Sequence, residues 1–352
     1  MRGIALKIVY DDIVYSLQKA GGISVMWSEI TKNAPFPATH IRYENAGENV
    51  FAKKIEGHEY ETLSASGLIA KRYFNVHRAE TEPYLFHSSY FRYCLDPKAI
   101  NITNMYDFTF ERYFHAPVYR VHIHQKKNTT MHSDGVICIS NNTKQDLLEY
   151  YPEYKGELAV IYCGYDTETF FSEPAEKEPI ILFVGSRAHY KRFDLAVRLV
   201  KQMKDYKLVV VGGGAFSNEE MKLLEDNIPG RYEKSGYLSN DELRKLYNKA
   251  FALMYCSDYE GFGIPPLEAQ ACGCPVICQG KSSLPEVVAD SAIIIDSEQE
   301  ERSYEKIKEL YQPEFYKDIV QRGFENTKRF SWTKCSHEVN EFYDYMLKKK
   351  GL

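Results

Sequence analysis

The sequence predicts an α/β protein of two facing, doubly wound, Rossmann-like domains. Short β-branched or aromatic runs alternate with amphipathic stretches of about ten to fifteen residues along the chain, the pattern of parallel sheets covered by helices. At 352 residues the chain is longer than a single hydrophobic core usually grows. The polar, proline-containing stretch "DTETFFSEPAEKEP" interrupts the alternation once, so 166–179 reads as a linker. It separates an N-terminal domain over 1–165 from a C-terminal domain over 180–328, and 329–352 remain as a closing helix.

In the first half the clearest strands are "LKIVY" (6–10), "YLFHS" (84–88), "AINIT" (99–103) and "DGVICIS" (134–140). The N-terminal run is short and acids follow it at once, so it reads as a first strand and not as a signal peptide. Helical periodicity marks 23–34 and 142–152, the latter stopped by Pro152. The second half repeats the alternation more cleanly. "PIILFVG" (179–185), "YKLVVVGGG" (206–214), "YEKSGYL" (232–238), "FALMYC" (251–256), "PVICQG" (275–280) and "SAIIID" (291–296) read as strands. Helical patterns at 193–203, 217–227, 239–250 and 265–273 separate the first five. The last helix, in 330–350, follows the completed second sheet and is expected to cross back to the N-terminal domain. Two facing domains of this kind leave a cleft, and open parallel sheets bind ligands at the carboxyl ends of their strands.

Composition narrows the function. A net charge of -5 argues against a nucleic-acid partner, for which a strongly basic domain is expected. No apolar run is long enough to span a bilayer. The eight cysteines are scattered, and the C-x-C-x3-C group at 272–278 has no second cluster at zinc spacing. They read as buried thiols of a cytoplasmic protein, with no metal site. Residues 66–80 mix Leu68, Ile69, Tyr73 and Phe74 with Lys71, Arg72 and Arg78. That pattern suits an ordinary surface helix, or an interfacial one making peripheral contact with a membrane.

The chemistry is concentrated in loops at strand ends. In "DYEGFGIPPLEAQACGCPVIC" (258–278), Glu260 and Glu268 bracket a glycine-rich turn. Pro265 and Pro266 suit a first helical turn, where a missing N–H costs nothing. Gly261 and Gly263 admit a ligand to the backbone, and the helix start adds partial positive charge, so the turn suits a diphosphate. Glu268, read as lying in the first turn, is placed to bond a ribose diol, and Glu260 to hold hydroxyls at the other end of the ligand. "FVGSRAHYKRF" (183–193) brings Arg187, Lys191 and Arg192 to a strand's carboxyl end, where cations neutralise a pyrophosphate. "VVVGGGAFSN" (209–218) lacks both the dinucleotide glycine order and the P-loop lysine. Its glycines read as close packing beside a nucleotide. In the first half, Gly21 and Gly22 precede a helix, as either a phosphate- or acceptor-facing loop or a tight turn. Tyr106 and Asp107 follow "AINIT" at a carboxyl end, where Asp107 serves as a base, as a hydrogen-bond acceptor or as a turn cap.

These residues carry a resemblance. "EGFGIPPLEAQACGCPVI" resembles the signature of the family 4 retaining glycosyltransferases, whose E-x7-E pattern Glu260 and Glu268 meet. "AGGISVMWSEI", "SDGVICISNNTKQDLLEYY", "VIYCGYDTETF", "VGSRAHYKRFD" and "GYLSNDELRKLYNKAFALMYCSDYEGFG" are similar to further segments of the family, so the likeness covers nearly the whole chain. It implies the GT-B fold. It implies transfer of a sugar from a nucleotide-diphosphate sugar to an acceptor hydroxyl, with the anomeric configuration kept, without a metal and without a cofactor. It places Glu268 on the donor ribose, Glu260 on the donor sugar, and Gly263 and Ile264 N–H groups, with Phe262 beside them, at the distal phosphate. The base is expected near Gly236, Tyr237 and Leu238, and the diphosphate between Arg187 and Lys191. Tyr106 stands where many members have a histidine. With Asp107 it is a site residue, without an acid–base role. Ser186 separates Gly185 from Arg187, whereas many members place the arginine directly after that glycine. The expected acceptor is a glycan or lipid-linked glycan, in capsule, O-antigen or exopolysaccharide synthesis. Two other readings stay open: a silent partner subunit of the same fold, and a nucleotide-sugar epimerase or hydrolase.

Overall fold

A computed structural model of the chain describes residues 7–55 and 59–352. They form two compact units, one running to Gly164 and taking in Trp332–Leu352, the other Tyr165–Ser331.

The first unit is a parallel sheet of β1 (Ile8–Asp11), β2 (Ala38–Tyr43), β3 (Glu59–Leu63), β4 (Tyr84–Ser88), β5 (Ala99–Met105), β6 (Gly135–Cys138) and β7 (Glu157–Val160). Their order across the sheet is β3-β2-β1-β4-β5-β6-β7. The order reverses between β1 and β4, which pair in parallel from Ile8 opposite Leu85 to Asp11 opposite Ser88. The central strands β1, β4 and β5 are buried at every position, as expected of strands covered on both faces.

The second unit holds β8 (Glu178–Val184), β9 (Lys207–Val211), β10 (Tyr232–Ser235), β11 (Ala250–Tyr255), β12 (Val276–Gln279) and β13 (Ala292–Ile295). They lie in the order β10-β9-β8-β11-β12-β13, again parallel, with the reversal between β8 and β11. Its core joins Ile181 and Phe183 of β8 to Leu208, Ala252, Met254 and Ile277 of the neighbouring strands. Two helices start on capping boxes. The Ser217 and Ser239 side chains accept from the Glu220 and Glu242 amides, and both glutamates reach back to the cap amides.

The last helix, Trp332–Lys349, belongs to the first unit, as expected from the sequence. The Tyr343 hydroxyl meets buried His87 Nδ1 on β4 at 2.5 Å, and Tyr345 donates to Glu157 at 2.6 Å. Phe342 lies against Gly135 of β6 so closely that a Cβ there would sit 2.8 Å from the ring.

The structure also differs from the sequence reading. β2, β3 and β7 and the helices Pro117–His132, Glu300–Lys308 and Pro313–Thr327 carry weak apolar signals. In Pro117–His132 the buried face consists of His122, Gln125, Lys126, Thr129 and Thr130, so no hydrophobic stripe marks it. The helix sought over 66–80 shrinks to Leu68–Lys71. Past it the chain is largely irregular, and Val76 makes an isolated parallel bridge with Cys94. Leu6, the first residue of the expected N-terminal strand, lies outside the described residues. All eight cysteines are free and buried. No helix among the described residues is long and apolar enough to cross a membrane.

Gly135→Ala is expected to destabilise the protein by about 1–3 kcal/mol, because the added methyl overpacks the Phe342 seam. Urea unfolding measures it. The companion Phe342→Leu change, which makes room for the methyl, should recover part of the loss.

Candidate functional site

At the reversal of the second sheet, the loops leaving β8 and β11 lie side by side. This is where an open parallel sheet has its crevice. After Val184 the chain passes Gly185, where a Cβ would meet no heavy atom within 4 Å. It then reaches a single 3-10 turn at His189–Lys191. The Lys191 ammonium lies 2.5 Å from Glu260 Oε1, beside the Tyr190 and Tyr255 rings at 5.3 and 5.7 Å. The pair is largely shielded, at 18% and 12% side-chain exposure, so solvent screens its attraction only partly.

The loop carrying Glu260 is held from three sides. The Asp258 amide donates to the Tyr190 carbonyl at 2.7 Å, which ties the β11 loop to the β8 loop. The Asp258 carboxylate accepts from Gln279 and Lys281 at 2.9 Å and from Arg192 at 3.3 Å. Burial opposes its ionisation, but Lys281 and Gln279 outweigh that and lower its pKa. The Glu260 amide donates to Ser282 Oγ at 2.9 Å, and Ser283 Oγ bonds the carbonyls of Glu260 and Phe262 at 2.9 and 2.6 Å. Ser282 does this from a left-handed conformation, φ 52°, which a non-glycine residue adopts at a cost. Lys281, Ser282 and Ser283 are site supports that the sequence reading missed. Their one available signal is position, since "GKSS" follows β12, the next strand beyond β11.

Gly263 caps the helix Ile264–Ala271 at φ 125°, a region closed to side-chain-bearing residues, with Pro265 and Pro266 in the first turn as predicted. Glu268 is the fifth residue of that helix and not in its first turn, a correction of the sequence reading. It is half-buried and accepts from the Tyr247 hydroxyl at 3.4 Å. Burial pushes its carboxyl up to about 7; the Tyr247 bond works against this, and Asp166 adds to it.

Arg187 is placed differently from the diphosphate grip expected of it. Its guanidinium is 3% exposed and turns to the 212–215 loop. Nε donates to Glu220 at 2.8 Å, and the terminal nitrogens donate to the carbonyls of Gly212, Gly214 and Ala215 at 3.0, 3.2 and 2.7 Å. Gly212, Gly213 and Gly214 are all left-handed, which aims these carbonyls at one cation. The glycines therefore pack closely around an arginine. Arg192, left-handed at φ 50°, starts the helix Phe193–Gln202 and bonds Asp194 and Asp258. Gly236, Tyr237 and Leu238 follow the edge strand β10, two strands from β8, with Tyr237 almost fully exposed.

In the first unit, Gly21 caps the helix Gly22–Thr31 and Gly22 has open space beside it. Tyr106 is buried. Its hydroxyl accepts from Asn104 and donates to the Ser89 carbonyl, both at 3.2 Å. Asp107 Oδ1 accepts from the Thr109 amide at 2.9 Å, the turn-capping role left open in the sequence. Its carbonyl accepts from buried Lys126 at 2.9 Å, and Lys126 is ion-paired with Glu111 at 2.7 Å.

Comparison with known proteins adds the following. Residues 165–326 match the family Glycosyl transferases group 1. The chain is 30% identical over 221 residues to the uncharacterized glycosyltransferase MJ1178 of Methanocaldococcus jannaschii, covering 62% of this chain and 61% of that one. It is 30% identical over 206 residues to the O-antigen chain mannosyltransferase RfbU of Salmonella typhimurium, covering 55% and 57%. The chain thus spans about three fifths of the length of these relatives. Among solved structures, Anabaena HepE in complex with UDP-glucose aligns over 97% of this chain and 100% of its own, with a TM-score of 0.71 at 16% identity. That likeness is one of fold, and the fold is GT-B.

Arg187→Met should destabilise the protein by about 2–4 kcal/mol, because it strands the loop carbonyls and Glu220. Gly213→Ala should be comparably harmful, since its Cβ would sit 2.4 Å from the guanidinium. Thermal unfolding of the two variants checks both.

Proposed function

We propose, from the match of residues 165–326 to the group 1 glycosyl transferases, that the protein is a retaining glycosyltransferase. It moves a sugar from a nucleotide-diphosphate sugar to an acceptor hydroxyl. The observation that carries the site assignment is the Lys191–Glu260 pair at the β8/β11 reversal, beside a helix start and an open glycine. A donor's diphosphate brings the charge that Lys191 now finds in Glu260. On binding, Lys191 shifts to the phosphates with Arg192 near it, and the Gly263 and Ile264 amides add the helix terminus. Glu260 is then released to accept from the donor sugar's hydroxyls, and Glu268 accepts from the ribose. Arg187 acts at one remove, by holding the glycine loop.

In the reaction, the bond from the anomeric carbon to the diphosphate oxygen breaks and its electron pair stays with the diphosphate. The acceptor oxygen bonds the anomeric carbon from the same face and gives up its proton to the departing diphosphate oxygen. The developing charge on the diphosphate is the main demand, and Lys191 with the helix start meets it without a metal. Asp107 and Tyr106 act by position and hydrogen bonding. The HepE complex with UDP-glucose and the O-antigen relative support a hexosyl donor and a role in polysaccharide or glycoconjugate synthesis. A lipid-linked glycan acceptor would bring a cytoplasmic enzyme to the inner face of the membrane.

Thermal shift against UDP, GDP, ADP and CMP is expected to give one clear stabiliser. The shift should shrink markedly in Lys191→Ala. If no nucleotide stabilises the protein, the transferase reading fails.

Nucleotide affinity should also depend on pH. The free protein holds Glu268 protonated below about 7, and only the carboxylate offers both oxygens to a ribose diol. Affinity is therefore expected to be flat above that pH and to weaken toward about tenfold per unit below it. In Glu268→Gln the slope should vanish, as titration calorimetry across pH would show.

A further inference from the structure

The helix Pro117–His132 buries polar side chains, and Lys126 is the costliest of them to take out of water. Its side chain is 1% exposed, and that of Glu111, its ion-pair partner at 2.7 Å, is 4% exposed. Apolar groups of similar volume commonly stabilise a fold as well as such a pair or better, so stability alone does not explain it. What an apolar side chain cannot supply is a hydrogen bond to the backbone. The Lys126 ammonium donates to the Asp107 carbonyl at 2.9 Å.

That bond falls on the loop leaving β5 at its carboxyl end. Asp107 is half-buried there, between buried Tyr106 and buried Phe108. Phe108, at φ -119° and ψ 32°, lies outside the helical and extended wells, so no regular element fixes the Asp107–Phe108 peptide. The helix that follows, Thr109–Tyr113, is five residues long, and its cap residue makes no side-chain hydrogen bond. The direction of the Asp107 carboxylate therefore depends on two contacts, the Thr109 amide on Oδ1 and Lys126 on its own carbonyl.

Lys126 is itself held in place. Its ammonium lies 4.6 and 5.5 Å from the Phe108 and Phe91 ring centres, and Tyr151 donates to the other oxygen of Glu111 at 3.0 Å. One turn earlier on the same helix, the His122 ring packs on Phe110 of the loop at 4.3 Å. This helix face is polar because it grips a loop.

We propose that Lys126 is a positioning residue for sugar transfer, fixing the Asp107 backbone so that the Asp107 carboxylate is presented to substrate at the carboxyl end of β5. The proposal rests on the transferase reading, which puts Asp107 in the site. Lys126 acts through Asp107 and not by contact with substrate.

The test compares the full chain with Lys126→Met, Asp107→Asn and the double variant, following nucleotide release from UDP-glucose, GDP-mannose and ADP-glucose. Lys126→Met should lower kcat by about tenfold or more and leave KM for the sugar nucleotide within about twofold, since the nucleotide is assigned to the second unit. The double variant should lose no more than the worse single one, because both changes act on one carboxylate. A triple variant, Lys126→Met with Glu111→Leu and Tyr151→Phe, removes the ammonium together with both groups that hold it and leaves no buried charge unpaired. It should keep the Tm of the full chain and still show the loss in kcat. Hydrogen exchange of the Thr109 amide, which Asp107 protects, should speed up by about tenfold in both Lys126→Met backgrounds. The proposal is overturned if the triple variant keeps full kcat, if the double variant multiplies the two single losses, if KM moves as much as kcat, or if Thr109 exchange is unchanged. Should the full chain release no nucleotide from any of the three donors, the transferase reading falls, and the exchange rate still decides whether Lys126 sets the Asp107 loop.

Discussion

The ion pair between Lys191 and Glu260 ties together the two loops at which the second sheet reverses its order. A lysine and a glutamate this shielded tolerate burial only as partners, and removing either strands the other. The surrounding construction serves that constraint. Asp258 bonds the backbone of the lysine's loop and takes Lys281 and Arg192 as its own cations, so they do not compete for Glu260. Ser282 and Ser283 fix the backbone on both sides of Glu260. On the proposed reading, a cation matched by an internal carboxylate until an anion arrives is a preorganised anion site.

The two carboxylates of the E-x7-E pattern live in different environments. Glu260 faces an ammonium. Glu268 lies a full turn into its helix, with a tyrosine hydroxyl and burial for company, and its affinity for protons rises accordingly. The loop and the helix that follows it thus hold one carboxylate against an ammonium and a second that titrates near neutrality. Neither arrangement is that of a proton relay, which accords with the reading of both as ligands of one donor.

Much of this was legible in the residues. The strands of the second unit, apart from the polar β10, announce themselves through apolar runs, and the helix after Gly263 through its glycine and two prolines. The family likeness rested on the same loop. The first unit was less legible, because Pro117–His132 buries histidine, glutamine, lysine and threonines where periodicity looks for apolar side chains. Arg187 shows a second kind of limit. A cation after a strand looks like a phosphate ligand, and only three dimensions reveal that three successive glycines aim their loop's carbonyls at it. The supports Ser282 and Ser283 were silent for a related reason, since serines after a strand are common and their partners lie more than twenty residues away.

The central claim is that Lys191 exchanges Glu260 for the donor's diphosphate. The most direct measurement is calorimetric titration of the intact chain and Lys191→Met with a nucleoside and with its diphosphate, using the base that the protein prefers. The account predicts that the intact chain prefers the diphosphate by tenfold or more and that Lys191→Met loses most of that preference while keeping its affinity for the nucleoside. An unchanged preference for the diphosphate in Lys191→Met would contradict it.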